Sequence, residues 1–526
     1  MRTKTGIALC AGLAWVMVGP QAFAKTIYVS GAGSDAGTGL APASALRTLK
    51  TAASKTTPGD VVEVDDGVYD AFSITISGTD AAWIRYVAKA GARPKIAFKG
   101  WNGIFIEAAH HIEIRGFEVA GPMADRTLAQ CTADADAATP DPLCNGNGIS
   151  IDARKVDAKA HHILIADNDV HDCPGGGISA IESDYVTVEG NFVHGNALHT
   201  RYGASGISYL TPWNSDDTTG TKMIVRRNRA FGNKTLVKWA QIQKLSDGNG
   251  IIIDTSRNTG TTPPIAAYKG RFLVEDNLSV GNGGSGIHAY DSERVDILHN
   301  TTFQNGQVVG YAEIFANNST DVRIENNVMI GRADGDVNTL DTKSSATYDF
   351  NVYFAGKVRS MGANDIVGDP RVRAASLDPA IADFRLAAGS PAIDSASPAL
   401  TSPVDLTGAP RPAGKGPDRG AYEDGAVAGG SVGDAGAEAG GADAGAGAGN
   451  VDAGEDRPSA GPGAVTDAGP DARGTSAADG TTSSAGCSAA RGTSSGGATS
   501  LAALGLGLGL VARRRRRLPH GPDSTP

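Results

Sequence analysis

The chain has 526 residues, 70 of them glycine, with 6% aromatics and a formal net charge of −10. Length alone allows several domains, but a glycine-rich, aromatic-poor composition suits many short strands and turns more than a helical protein. The acidic balance, with no basic stripe in the folded part, argues against nucleic acid as a partner.

Residues 1–24 read as a secretory leader. Arg2 and Lys4 precede an apolar stretch over 6–18, and Ala22, Phe23 and Ala24 form a small-x-small cleavage site before Lys25. That stretch is shorter than the ~20 residues of a membrane span. Export implies an oxidising compartment, where Cys131, Cys144 and Cys173 can form a bridge. Closing the 131–144 loop would stabilise the fold by about 3 kcal/mol on a chain-entropy argument. Pairing with Cys173 stays open, because sequence does not fix connectivity.

The folded part is expected over 25–424. Within 26–70, a strand at 27–30 leads through a Gly/Asp turn to a short amphipathic helix with Leu46, Leu49, Ala52 and Ala53 on one face. Pro58-Gly59-Asp60 then turns into a strand at 61–64, and Gly67-Val68-Tyr69 closes the unit. These motifs (YVS, GTG, PGD and GVY) resemble the N-terminal cap of right-handed parallel β-helix proteins of the pectate-lyase-like superfamily. A helix there has a physical purpose, since the first coil of a solenoid exposes strand edges and an open core that something must cover.

A repeated phrase follows. Ladder asparagines close short strands at Asn168, Asn191, Asn228, Asn277, Asn300 and Asn327. Ahead of each, alternate residues form an apolar pair: Ile163/Ile165, Val186/Val188, Met223/Val225, Phe272/Val274, Val295/Ile297 and Val322/Ile324. Period-two alternation means a strand with one face buried. Stacked ~4.8 Å apart, the pairs form one column. The asparagines then form a ladder, their amides bonding upward and their backbones tolerating a left-handed corner. A second column falls five residues on, at Asn196, Asn233, Asn282 and Asn305. The predicted fold is all-β, a right-handed parallel β-helix whose N-terminal cap holds a short helix.

Ladder spacings of 23, 37, 49, 23 and 27 residues exceed in two places the roughly 20–29 of a bare coil. The extra length maps to 210–222, 234–248 and 257–270, with a fourth insertion at 123–146 one coil earlier. Insertions on consecutive coils predict the walls of a groove. Its floor is expected where strands after glycine corners align, giving outward columns Ser150, Ser179, Ser208, Ile252, His288 and Asp152, Ile181, Leu210, Asp254, Tyr290.

Residues 383–423 resemble the segment that closes many such helices, with FRL, SPAID, DLTG and GAYE, so Asp394, Asp405 and Asp418 are expected as turn-formers. Residues 425–486, rich in Gly, Ala, Asp, Ser and Thr, cannot bury enough apolar surface to fold and predict a disordered spacer. In 487–526, Cys487, an apolar run at 501–512 and five arginines at 513–517 resemble MYXO-CTERM sorting tails, with nine further residues as a departure. That resemblance implies an exported chain tethered at the outer cell surface, touching membrane only through this tail; without processing of the tail the chain would be secreted.

The superfamily resemblance implies cleavage of a uronate-containing polysaccharide by β-elimination, in which a base takes the proton beside a carboxylate that calcium or a cation neutralises. The expected catalytic residues are His288, Tyr290, Arg201, His199 and the wall lysine Lys244, with Lys238 beside it. Trp213 and Trp239 are expected to stack on sugar rings. Calcium is the expected cofactor, with Asp152, Glu182 and Asp254 as hard oxygen donors. There are departures: no GHG or paired-Asp signature, no RxPxxR, and Ile252 where one family of lyases carries its basic lysine. A glycoside hydrolase using two carboxylates, a C5-epimerase, or a non-catalytic adhesive surface protein are the alternatives. The partner is an acidic polysaccharide and the chain a monomer.

Overall fold

The computed structural model describes residues 24–154, 159–259, 261, 264–339 and 343–425. The secretory leader, the spacer and the sorting tail lie outside the described residues.

The strands fall into three parallel sheets, and the central coils contribute one strand to each. The long-strand sheet has eleven strands, from Thr26–Val29 to Ala346–Asp349. The short-strand sheet also has eleven, and a third, of eight strands, runs from Phe72–Ile74 to Ile314–Asn317. The apolar pairs read from the sequence stack inward in register: Ile163 on Val186, Val188 on Val225, Phe272 on Val295, Val295 on Val322. All twelve of those side chains are buried. One continuous core therefore runs the length of the helix, which suits a fold whose repeats cannot bury their apolar face alone.

The asparagine ladder exists, and it is longer than six rungs. Asn168, Asn191, Asn228, Asn277, Asn300 and Asn327 each donate their backbone N–H to the carboxamide oxygen of the next, and Asn351 adds a seventh rung that ends on Asp365. In the second ladder Asn305 ends on Glu313, and Cys173 takes the first rung by donating its N–H to Asn196 Oδ1 at 2.9 Å. One expectation needs correction. The left-handed residue at each corner is the one before the asparagine, as at Arg227 (φ 54°) and Asp276 (φ 53°). The asparagine supplies hydrogen bonds, and its neighbour absorbs the turn.

The capping helix is Leu49–Lys55, opened by Thr48, whose hydroxyl accepts from Thr51 N at 3.2 Å. Leu49, Ala52 and Ala53 are buried beneath it, whereas Leu46 lies outside the helix and bridges to Val29. At the far end Asp394, Asp405 and Asp418 accept backbone N–H groups, as turn-formers do. Cys131 and Cys144 form the disulfide, and Cys173 is free and buried.

Candidate functional site

The eight-stranded sheet floors a groove of about 670 Å³, within the size range of small-ligand and cofactor sites. The two outward columns stand in register as the alternation requires: Ser150 beside Ser179, Ser208 beside Ile252, Ile252 beside His288, and Asp254 beside Tyr290. The columns continue to Phe105 and Glu107 at one end and to Phe315 and Asn317 at the other. The floor thus grades from serine hydroxyls to a cluster of rings.

Only two of the four insertions wall this groove. Residue Asn145 in 123–146 and Trp239, Ile242, Ser246 and Asp247 in 234–248 line it. Of 210–222 only Leu210, itself a floor strand residue, reaches it, and 257–270 does not. Those two insertions meet each other at the opposite corner of the coil, where Asn214 Nδ2 donates to Ala267 O at 3.0 Å. An insertion's corner depends on which sheet it leaves, and the two kinds look alike in sequence.

The chemistry concentrates around two carboxylates. Asp254 projects from the floor strand Ile251–Asp254 and accepts from the Thr255 hydroxyl at 2.6 Å. Asp247 ends the 234–248 wall just before that strand. It is left-handed (φ 61°) and followed by left-handed Gly248 (φ 70°), a turn that a non-glycine residue adopts at a cost of roughly 1–2 kcal/mol. Asn249 behind it is locked between coils, donating to Ser205 Oγ at 3.1 Å and accepting from Ser285 N at 2.9 Å. Both carboxylates keep a narrow contact with solvent in the groove while protein surrounds them elsewhere. Burial raises Asp254 to about 7; the Thr255 hydroxyl opposes this, and the charges of Asp247 and Asp291 add to it. Burial likewise raises Asp247 to about 6, against hydrogen bonds from Ser246 and Asn249.

His288 occupies the predicted strand position but is sealed off, 6% exposed, stacked on Phe315 at 4.0 Å and edged by Tyr290 and Tyr311 at 5.9 and 5.8 Å. Burial lowers its imidazole to about 3, so the ring is neutral near pH 7 and a weak proton acceptor. Neither ring nitrogen has a hydrogen-bond partner. Tyr290 lines the groove beside it.

Several expected residues stand elsewhere. Arg201 does not line the groove; its guanidinium donates to Ala137 O at 2.7 Å and so pins the disulfide-closed wall. His199 is buried nearby, also outside the groove lining. Lys244 and Lys238 are exposed on the wall and are not groove residues. Trp213 donates its indole N–H to Ala160 O at 3.3 Å on the far corner, while Trp239 does line the groove. Trp101, 39% exposed at the other end of the groove, is the second tryptophan there and was not expected. Asp247 was missed too; its only sequence signal is an acidic residue directly before a glycine corner that opens a floor strand.

The residues expected to hold calcium do not fit an ion. Asp152 and Asp254 stand three strands apart in the floor, about 14 Å at ~4.8 Å per strand. Arg154 holds both oxygens of Asp152, with Nη2 donating at 2.8 Å, and Glu182 pairs with Lys159 outside the groove. Calcium ligands must meet at ~2.3–2.6 Å from one point, so this set cannot share one.

Comparison with solved structures returns carbohydrate-acting enzymes at low identity. A pectate lyase, Pel9A, is 15% identical, with 76% of this chain and 96% of that one covered and a TM-score of 0.45. An alginate lyase from Paenibacillus sp. str. FPU-7 is 15% identical, with coverage of 65% and 99% and a TM-score of 0.38. A lacto-N-biosidase from Eubacterium ramulus is 16% identical, with coverage of 64% and 57% and a TM-score of 0.38. No curated protein matches the chain in sequence. A family model described as "Pel9A-like, right handed beta helix region" matches residues 27–327, more than half of the chain, with the same coils that carry the core columns and the groove floor. The chain belongs to the Pel9A-like right-handed β-helix family.

Proposed function

We propose that the groove binds a polysaccharide and cleaves it by hydrolysis, with Asp254 as general acid and Asp247 as the ionised partner. The observation that carries this reading is the pair of groove carboxylates raised to about 7 and about 6. A pair of carboxyls is the equipment of glycosidic bond hydrolysis, one protonating the leaving oxygen and the other acting at the anomeric carbon or its water. The acid role goes to Asp254, the more strongly raised of the two.

Hydrolysis is favoured over elimination because elimination needs a cation to neutralise the substrate's uronate. Among the described residues lining the groove, the one lysine or arginine is Arg154, which Asp152 already grips. Trp101 and Trp239 offer ring faces for sugars, and the serine column offers hydroxyls between them. We place this activity outside the cell, with the chain acting as a monomer tethered by its C-terminal tail or secreted. Surface labelling of intact cells, compared with the culture supernatant, checks that placement.

The test incubates the full exported chain with pectate, alginate, xylan and glycosaminoglycans. Reducing ends and the ultraviolet absorbance of unsaturated uronate are followed together. New reducing ends without that absorbance, lost in both Asp254→Asn and Asp247→Asn, are expected. Absorbance rising with the reducing ends would return the reading to β-elimination. Unchanged turnover in both variants would remove the carboxylate pair from the reaction.

A further inference from the structure

Outside the groove, two histidine pairs stand at the start of successive strands of the long-strand sheet. His110 and His111 open His110–Arg115, and His161 and His162 lie at the same level of Ala160–Ala166, with His161 in register with His110. His111 (φ 56°) and His162 (φ 52°) are both left-handed, which folds each ring back on the one before it. Within each layer the rings meet nitrogen to nitrogen: His110 Nδ1 is 2.8 Å from His111 Nδ1, and His161 Nδ1 is 2.7 Å from His162 Nδ1. Between layers His110 stacks on His161 at 4.5 Å, and His111 on His162 at 4.7 Å. The result is a two-by-two block of imidazoles.

A ladder of stacked rings would explain the spacing between layers, and Tyr185 does continue the stack at 4.3 Å from His162. The facing nitrogens within each layer are at hydrogen-bond distance, one neutral ring donating to the other, and a divalent cation can replace that shared proton. One ligand nitrogen from each of His110, His111 and His161 lies within 4.8 Å of the others, the only such group of three or more metal-ligating side chains among the described residues. A tetrahedral ion with bonds of ~2.0–2.1 Å spaces its nitrogens about 3.3 Å apart. The nitrogen contacts of 2.7–2.8 Å within a layer are shorter than that, so the rings of a layer would part by about half an ångström to take an ion. Asp80 Oδ1 lies 2.6 Å from His111 Nε2, an ion-pair contact without hydrogen-bond alignment. An all-imidazole donor set selects zinc-like transition metals over calcium or magnesium.

We propose that His110, His111 and His161 bind one zinc-class divalent cation that clamps two successive coils. The groove and its carboxylates are not involved, so this site stands or falls independently of the hydrolytic reading.

The test uses the full chain, stripped with chelator and titrated with ZnCl2 by calorimetry, and separately with CoCl2 in the visible range. One zinc per chain and an intense tetrahedral cobalt spectrum are expected. Both should vanish in His110→Gln and in His161→Gln. His194→Gln, in the two-ring His171–His194 stack on another sheet, should bind as the parent does. Absence of one-to-one binding, or binding undiminished in His161→Gln, would overturn the proposal. Should the glutamine variants fail to fold, a cobalt spectrum of octahedral type in the parent chain overturns it alone.

Discussion

Asn233→Ala tests whether the ladder that shapes the coil also holds the groove wall. Asn233 Oδ1 accepts from Asn196 N and Nδ2 at 3.2 and 3.0 Å, and its Nδ2 donates to Val193 O and Asn282 Oδ1, both at 3.0 Å. Its own backbone N–H to Asn282 Oδ1, at 2.9 Å, survives the substitution. Alanine therefore orphans the buried Asn196 N–H, at about 1–3 kcal/mol, and removes three more bonds worth about 0.5–1.5 kcal/mol each, some 5 kcal/mol in all. For a folded region of about 400 residues, with an unfolding entropy near 2.1 cal/mol/K per residue, that lowers the melting temperature by about 6 °C. Calorimetry or circular dichroism on the full chain reads it, with Lys238→Ala, an exposed residue on the same wall, as the unchanged control. Asn233 leads directly into the insertion carrying Trp239 and Asp247, so substrate turnover should fall with stability. A melting temperature for Asn233→Ala indistinguishable from that of Lys238→Ala would refute the assignment of the ladder as a principal source of stability.

Further outcomes are expected. A Cβ at Gly203 would lie 2.5 Å from Asp247 Oδ2, so Gly203→Ala should displace that carboxylate and lower kcat at least about tenfold, a displacement of ~1 Å being enough; unchanged kcat would mean Asp247 is a bystander. The carboxylate pair should give a bell-shaped activity profile centred between about pH 6 and 7. Both values lie above the ordinary carboxylate range, so the folded chain binds more protons than the unfolded one from about pH 4 to 7. Their contribution to stability therefore falls as pH rises through that window, and Asp254→Asn should flatten the fall in pH-dependent melting. Trp101→Ala and Trp239→Ala should each raise KM, by an amount matching the ~1 kcal/mol typical of an aromatic contact, with kcat less affected. The Cys131–Cys144 bridge joins residues 13 apart, and Cys144→Ser should give up about 3 kcal/mol of local loop stability, read as proteolysis within 123–146 while the coils stay intact.

How far the fold could be read from the chain follows from the range of the forces involved. Alternation in Phe272/Val274 or Val295/Ile297 is a property of neighbouring residues, and burying one face of a strand admits one answer, so the core columns were legible. The corner asparagines were legible for the same reason, although the backbone strain fell on the residue before each of them. Asn351 was missed because it follows a strand whose apolar pattern is weaker, Ala346–Asp349. The floor columns through His288 and Asp254 also followed from alternation. Their environments did not. His288 was expected on an open face, but Tyr311 and Phe315, from the next coil and its connecting loop, close over it.

The sequence by itself determined the repeating coil, its inward face and the order of its strands, since these rest on local alternation and hydrogen-bonding corners repeated along one axis. The tertiary structure decided which insertions share a corner, and so took Arg201, His199 and Trp213 out of the groove and put Asp247 and Trp101 into it. It also brought together histidines 51 residues apart. The physical reason is registry. Contacts between coils depend on strand stacking, and insertions of unequal length hide that stacking from any count along the chain.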